Sequence, residues 1–343
     1  MSDKHVYTTD GRVKHSSKEE DINNRLADIL GKRFAEYRKT WDAANELNVV
    51  TEYPLFIHLD VNQKCNLRCV HCLNRYPNYM AEFYGEMEPM SWSRYQRIIL
   101  ESEEHECPSI TLCGINEPLL MPDFEDYIRY ASDHGFIDIM INTNATLLTE
   151  ERARSILDCG LTRLRFSLDA ASPETYRKIR GRDYYSQVIK NIEAFLDLKE
   201  RLGYKLPITG VNFCKMSLNE HEADKFVEFW EDKVDMVTMQ AFAPLVAEKE
   251  LDVLYPTIQE GDIKQFRCAQ PFQRVVIRNN GIYPCCFISN DLVVGDLRED
   301  TIYRAWNSEK MGTIREVCRA GQYHKNKSCK ACVGLLFPQA KDI

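Results

Sequence analysis

From residue 54 onward, short apolar runs with strand-like alternation recur along the chain: FIHLDV, SITLC, IDIMIN, TRLRFSL, ITGVNF and VDMVTM. Between them, residues 91–105, 123–134, 149–158, 184–202 and 219–231 carry apolar side chains at three- and four-residue steps, the period of an amphipathic helix. Strands and helices alternating at these lengths predict repeated βα units around a parallel sheet. Periodicity alone leaves two architectures open, a barrel-like closure of six units or a doubly wound open sheet. The first sixteen residues are polar and are expected to be mobile. SKEE, beginning at Ser17, then offers a capping box with Glu20. Ile22, Leu26, Ile29, Leu30, Phe34, Tyr37 and Trp41 form one apolar stripe, predicting a long helix or a helix pair interrupted at Gly31. The stripe is expected to pack on the main domain, with a dimer or partner surface as the other reading. Near the C-terminus, VVIRNNGIYPCC predicts a hairpin whose NNG turn tolerates positive φ.

A chain of 343 residues that is 44% hydrophobic can bury a full core, and predicts one large domain with a smaller one. Its net charge of -8 is spread over mixed-sign helices without a basic stripe, so nucleic acid is not an expected partner. There are thirteen cysteines but no apolar leader and no long apolar run, which excludes a membrane span and predicts a reduced, cytoplasmic protein. Clustered cysteines in that setting mean metal or redox chemistry.

The first cluster is Cys65, Cys69 and Cys72 in CNLRCVHC. Three thiolates leave a fourth coordination position open, whereas structural zinc and iron-sulfur sites normally take four protein ligands. An open position implies chemistry at the metal. The loop follows the first predicted strand, where sites on barrel-like α/β folds collect. Three buried cysteines that happen to share this spacing are the alternative. The motif resembles that of the radical S-adenosylmethionine superfamily, in which three cysteines bind a 4Fe-4S cluster and the cosubstrate chelates the remaining iron. The resemblance covers about residues 52–245 and implies a partial (βα)6 TIM-like barrel, open on one side. It would be preceded by a helical extension over 1–51 and followed by a small hairpin-and-helix iron-sulfur domain over 262–337.

The same resemblance suggests who holds the cosubstrate. CGINEP, with Gly114, Asn116 and Glu117, is similar to the family's glycine-glycine-glutamate segment, with Asn116 in place of the second glycine. Glu117 keeps the charge an ammonium needs. Asn142, with Thr143 and Asn144, supplies a polar strand end, while Thr149 is equally a cap for the next helix. Alternation through RFSLDA places Ser167 and Asp169 on one side, within reach of the ribose or the methionyl carboxylate, or else as caps of the helix around SPETY. Arg180 is either a fork for the cosubstrate carboxylate or a solvated helix end. His71 stands where the family has an aromatic residue whose backbone touches adenine.

Six more cysteines crowd the end of the chain: Cys268, Cys285, Cys286, Cys318, Cys329 and Cys332. The stretch from CAQPFQRVVIRNNGIYPCCF to CKACV resembles the SPASM or shorter twitch extension of radical enzymes, and implies one auxiliary 4Fe-4S cluster on Cys268, Cys285, Cys329 and Cys332. Spacing from Gly281 favours Cys286 in place of Cys285, and Cys318 is a further alternative. A zinc ribbon on the same four cysteines is the structural reading. Cys107, Cys113, Cys159 and Cys214 read as core residues, though Cys113 and Cys214 end strands on the cluster side.

Taken together, the resemblance implies two 4Fe-4S clusters, S-adenosylmethionine, and an electron donor such as flavodoxin or ferredoxin. The expected reaction is hydrogen abstraction from a small molecule, a dehydrogenation of a sugar, cyclitol or similar metabolite. A peptide maturase or epimerase, or a non-catalytic iron-sulfur scaffold, are the alternatives. No catalytic acid, base or hydrogen donor is legible, and neither is the oligomeric state.

Overall fold

The computed structural model describes residues 6–7, 13–15, 19–84, 89–244, 249–255, 266–287 and 289–338. Its strands are β1 (Val6–Tyr7), β2 (Val13–His15), β3 (Phe56–Leu59), β4 (Ser109–Thr111), β5 (Asp138–Thr143), β6 (Arg163–Ser167), β7 (Ile208–Lys215), β8 (Met236–Ala241), β9 (Arg274–Arg278) and β10 (Gly281–Tyr283). They form one sheet in the order β1-β2-β8-β7-β6-β5-β4-β3-β9-β10. β3 to β8 are the six expected strands, all parallel, and the sheet does not close on itself. It is a partial barrel of six βα units.

The helices Trp92–Glu104, Phe124–Asp133, Glu150–Asp158, Tyr185–Arg201 and Ala223–Trp230 fall where the apolar period places them. Pro173–Arg180 is the helix around SPETY, and Pro77–Tyr84 is added. Ile57, Ile110, Ile139, Ile141, Leu164, Phe166, Val211, Phe213 and Val237 point from the strands towards the helices and are fully buried in one core. Alternation then turns His58, Thr111, Asn142, Arg165, Ser167, Asn212 and Thr238 to the other face, which makes the lumen polar.

The apolar N-terminal stripe forms a helix pair, Glu19–Leu30 and Lys32–Asn45, broken at Gly31. Ile22, Leu26, Phe34 and Tyr37 are buried with Ile208 and Met236 at the strand starts, while Ile29 faces out. The pair covers the floor of the barrel, in keeping with the packing reading. Polar contacts fasten it: Arg25 to Asp235 at 2.9 Å, and Arg33 donating to the Gly135 carbonyl at 2.7 Å. Beneath Phe34, Arg163 forks Asp138 across β6 and β5 at 2.7 and 3.2 Å, with both side chains nearly sealed from water. Removing one partner of a buried pair strands the other charge, so Arg163→Ala is expected to cost about 3–5 kcal/mol. A lowered urea midpoint with unchanged cluster content is the check.

One expectation needs correction. Residues 1–16 were expected to be mobile and residues 1–51 helical, yet β1 and β2 are paired antiparallel strands, and β2 runs antiparallel to the β8 edge. Backbone pairing at an open edge does not require apolar side chains. The Ser17 capping box lies outside the described residues, as do positions 245 and 262 at the expected domain limits. The predicted hairpin exists as β9–β10 with Gly281 opposite Arg278, and within its NNG the positive φ falls on Gly281, at 155°. Gly281 also serves close approach, since a Cβ there would lie 2.9 Å from Val293 Cγ1 and 3.2 Å from the Gly295 carbonyl.

What no local pattern foretold is where that hairpin goes. β9 pairs in parallel with β3, from Phe56 opposite Arg274 to Leu59 opposite Ile277. The C-terminal cysteine segment is therefore joined to the barrel's own sheet, beside the strand that leads into the first cysteine loop.

Candidate functional site

The loop after β3 carries Cys65, Cys69 and Cys72, and neighbouring strand ends hold it from three sides. Glu117 N–H donates to the Lys64 carbonyl at 2.9 Å. Asn144 Nδ2 donates to Asn66 Oδ1, and Asn66 Nδ2 donates to Thr146 Oγ1, both at 2.8 Å. Val70 N–H donates to the Ile179 carbonyl at 2.9 Å. The helix Pro173–Arg180 ends there on Gly181, whose φ of 75° and 3.3 Å approach to the Arg68 carbonyl leave no room for a side chain. Donors also reach the sulfurs: Leu67 N–H to Cys65 Sγ at 3.4 Å and Arg180 Nη1 to Cys69 Sγ at 3.5 Å.

Burial pushes the Cys65 thiol up to about 11 and that of Cys72 to about 12, with neighbouring cysteine and other negative charge adding to the effect. Without a metal these thiols stay protonated at neutral pH, so ligation must expel their protons. Unpartnered buried polar atoms lie on the same loop and next to it: Nδ2 of Asn62, both amide atoms of Gln63, Nδ1 of His71 and Nδ2 of Asn116. Buried polar groups without a protein partner call for another one, a water or a bound group.

Glu117 is 1% exposed and already accepts from Thr143 Oγ1 at 2.6 Å, Asn144 N–H at 2.7 Å and Leu119 N–H at 3.1 Å. Burial raises its pKa in spite of these donors. Besides any cosubstrate, it ties the segment after β4 to the end of β5. Asn116 Oδ1 accepts from Gly114 N–H at 2.8 Å. Gly114 has its own necessity, since a Cβ there would meet Asp60 Oδ1 at 1.7 Å. Asn142 sits on the lumen face, accepting from Asn212 Nδ2 at 3.1 Å and donating its N–H to Cys113 Sγ at 3.1 Å.

Ser167 ends β6, opposite Asn212. Asp169 lies beyond the strand with φ of 60°, so strand alternation does not reach it. Neither residue caps the next helix; Ser172 does, accepting from Thr175 N–H. Thr149 does cap Glu150–Asp158. Asp169 instead meets Arg180 Nη2 at 2.6 Å, accepts from Cys214 N–H at 2.7 Å, and stands 3.6 Å from His71 Nε2. Arg180 is buried, not solvated, with its remaining nitrogens on the Leu168 carbonyl and Cys69 Sγ. Burial works against its charge, and Asp169 and Cys69 more than offset that. The same burial lowers His71 to about 4, so its ring is neutral at physiological pH.

The second cysteine set gathers at the hairpin. Cys318 is hydrogen-bonded to the Cys268 and Cys329 thiols, contacts that with burial push its own thiol far up. Burial also raises Cys285, with Cys286, Cys268 and Cys332 adding to it. Cys286 is tied elsewhere, donating its N–H to Gln270 Oε1 at 2.9 Å and accepting from Gln270 Nε2 at 3.4 Å. Cys268 N–H donates to the Tyr323 hydroxyl, and Cys329 N–H to Asn326 Oδ1. Among the described residues, no group of three or more His, Cys, Asp or Glu side chains is placed as ligands of a single metal ion are. Cys107, Cys113 and Cys159 are buried, and Cys214 is partly so.

The model of the radical SAM superfamily matches residues 59–227, and that of the iron-sulfur cluster-binding SPASM domain matches residues 268–333. The chain belongs to the radical SAM superfamily. Its two matched domains imply 4Fe-4S clusters, and the two cysteine sets lie one in each. Among curated relatives of this radical SAM enzyme, a probable GTP 3',8-cyclase of Methanocaldococcus jannaschii is 30% identical over 61% of this chain and 66% of its own length. A tungsten-containing aldehyde ferredoxin oxidoreductase cofactor-modifying protein of Pyrococcus furiosus is 24% identical over 66% of this chain and 61% of its own. The matched stretches thus fall short of two thirds of these relatives. Among solved structures, BtrN in complex with AdoMet and 2-DOIA aligns with a TM-score of 0.52 at 18% identity, over 84% of this chain and 97% of its own. The enzyme anSMEcpe with bound AdoMet gives 0.57 at 15%, over 82% and 85%. These likenesses show the fold. Among the described residues, no helix is long and apolar enough to cross a membrane.

Proposed function

We propose that this radical SAM enzyme dehydrogenates a small hydroxylated or aminated metabolite, such as a sugar or cyclitol, in the cytoplasm. The observation that supports the reading is the pairing of β9 with β3, which joins the segment carrying the second cysteine group to the barrel strand that leads into the first. A two-electron oxidation needs both a hydrogen acceptor and an electron acceptor, and a shared sheet keeps the two at a fixed separation. The lumen offers Asn142, Ser167, Asn212 and Thr238, side chains that suit hydroxyl or amino groups. Asn212 Oδ1 is buried there without a partner.

Cys65, Cys69 and Cys72 hold the first cluster, and Cys268, Cys285, Cys329 and Cys332 the second, with Cys286 and Cys318 as alternatives to Cys285. Bound there, the first cluster and S-adenosylmethionine supply a primary carbon radical that takes hydrogen from an unactivated C–H bond, and the second supplies a one-electron acceptor. Glu117, with Asn116, faces the cosubstrate ammonium. Asn142, Ser167 and Asp169 face its ribose, and the His71 backbone its adenine. Arg180 reaches the carboxylate only by exchanging Asp169 for it; otherwise it steadies the Cys69 turn. A flavodoxin or ferredoxin provides the electron.

Glu117→Gln is expected to weaken cosubstrate binding by roughly tenfold to a hundredfold, the worth of about 1.5–3 kcal/mol for a hydrogen bond to a charged group. Ser167→Ala should weaken it less. Calorimetric titration of variants with full iron content measures both, and unchanged affinity would return the two residues to a structural role.

The reaction itself is tested by incubating the reduced, reconstituted enzyme with the cosubstrate and a metabolite extract. Substrate-dependent 5'-deoxyadenosine with a metabolite converted to its ketone or imine supports dehydrogenation. Consumption of a peptide, or a product isomeric with its substrate, would overturn it.

A further inference from the structure

Arg278 ends β9 and is 3% exposed. Its Nη2 donates to the Cys286 carbonyl at 3.1 Å, and its guanidinium carbon lies 4.7 Å from the centre of the Tyr283 ring. The positive charge is therefore seated on the hairpin that presents Cys285 and Cys286. Across the seam, Arg278 Nε stands 3.7 Å from Asp60 Oδ2, the two side chains being 4% and 2% exposed. The other carboxylate oxygen is 3.5 Å from His58 Nε2. Asp60 is held against the bare backbone of Gly114, and its N–H donates to the Ile277 carbonyl at 3.0 Å. A buried ion pair thus straddles the β3–β9 junction. Its cation lies towards the second cysteine set, and its anion on the strand that leads to the first.

Little of that field is screened, because both groups are out of water and charges interact far more strongly in the interior than in solvent. Reducing an iron-sulfur cluster adds one negative charge, so a fixed cation beside a ligand's peptide group favours the reduced state, and a nearby anion opposes it. Arg278 also draws electron density from the Cys286 carbonyl through a charge-assisted bond. This holds whether Cys285 or Cys286 is the ligand, since the carbonyl links directly to one and adjoins the other.

We propose that the Asp60–Arg278 pair sets the potential of the cluster on the second cysteine set, with Arg278 raising it and Asp60 moderating that rise. The inference rests on the reading that this set holds an iron-sulfur cluster. Arg278 and Asp60 act through the cluster's surroundings, as positioning residues. The consequence is directional: an electron in the lumen is drawn towards the C-terminal segment and away from the first cysteine loop.

The test is a potentiometric titration of the reconstituted holoenzyme, followed by electron paramagnetic resonance. The signal of the second cluster is the one that persists when Cys65, Cys69 and Cys72 are all replaced by alanine. Arg278→Gln should lower its midpoint, Arg278→Lys should restore most of the loss, and Asp60→Asn should raise it. Identical midpoints at full iron content would overturn the inference. If Arg278→Gln sheds its cluster, Asp60→Asn decides alone, because Asp60 meets the hairpin through Arg278 and the Ile277 carbonyl, and an unmoved midpoint there also overturns it. A native protein without a second cluster overturns the cysteine assignment itself, which iron content reveals before any potential is measured.

Discussion

Replacing any one of Cys65, Cys69 or Cys72 by alanine removes one cluster's iron and brings formation of 5'-deoxyadenosine down to the uncatalysed background. The reason is the arithmetic of ligands. Three thiolates leave one iron open to the cosubstrate's amine and carboxylate, and two thiolates do not hold the cluster in that orientation. The fold around the loop should survive, because it is fastened by groups other than the sulfurs: Asn66 to Asn144 and Thr146, Val70 to Ile179, and Lys64 to Glu117. Iron content, circular dichroism and product assay on the same samples separate loss of the cluster from loss of the fold. Retained cleavage in any single variant would sink the assignment of this loop.

Much of this was legible locally. The six barrel strands show as apolar runs of period two, and the helices between them as runs of period 3.6, because each element buries one face on the same core. The position of the first cysteine loop was legible too, since the strand-like run before Cys65 places it directly after β3. What stayed hidden joins residues far apart in sequence. Asp60 and Gly114 each look ordinary, and only their contact explains the glycine. Asp169 and Arg180 both suggested cosubstrate binding, but the turn at Asp169 brings them onto each other and onto Cys69. The hairpin was foreseen, whereas its seat on β3 was not, since β9 would satisfy its hydrogen bonds on any open edge. The paired strands β1 and β2 are too short for a periodic signal, at two and three residues, and edge pairing is a backbone matter.

Substituting Cys268, Cys329 or Cys332 is expected to leave cleavage of the cosubstrate intact while product oxidation fails. On the proposed reading, cleavage takes place at the loop after β3, whose hydrogen-bonded supports at Glu117, Asn144, Thr146 and Ile179 include none of these residues. On the same reading, disposal of the second electron falls to the C-terminal set, whose segment β9 joins to β3. The two functions should therefore separate, with 5'-deoxyadenosine formed in excess over oxidised product. Folding is the rival explanation for a loss. The segment from Cys268 to Cys332 is built from short helices and a two-stranded hairpin, and a metal centre that closes such a segment contributes to its stability. Its remaining anchors should nevertheless hold it: Trp306 Nε1 donates to the Thr51 carbonyl at 2.7 Å, Arg315 Nε to the Pro271 carbonyl at 2.9 Å, and β9 stays paired with β3. Iron counts, visible absorption and circular dichroism must accompany the assay, and a colourless, folded C-terminal segment that retains zinc would replace the second cluster with a structural ion. A folded variant lacking the second cluster, yet forming product in step with 5'-deoxyadenosine, would show that no electron leaves the substrate, and an isomerisation would take the place of dehydrogenation.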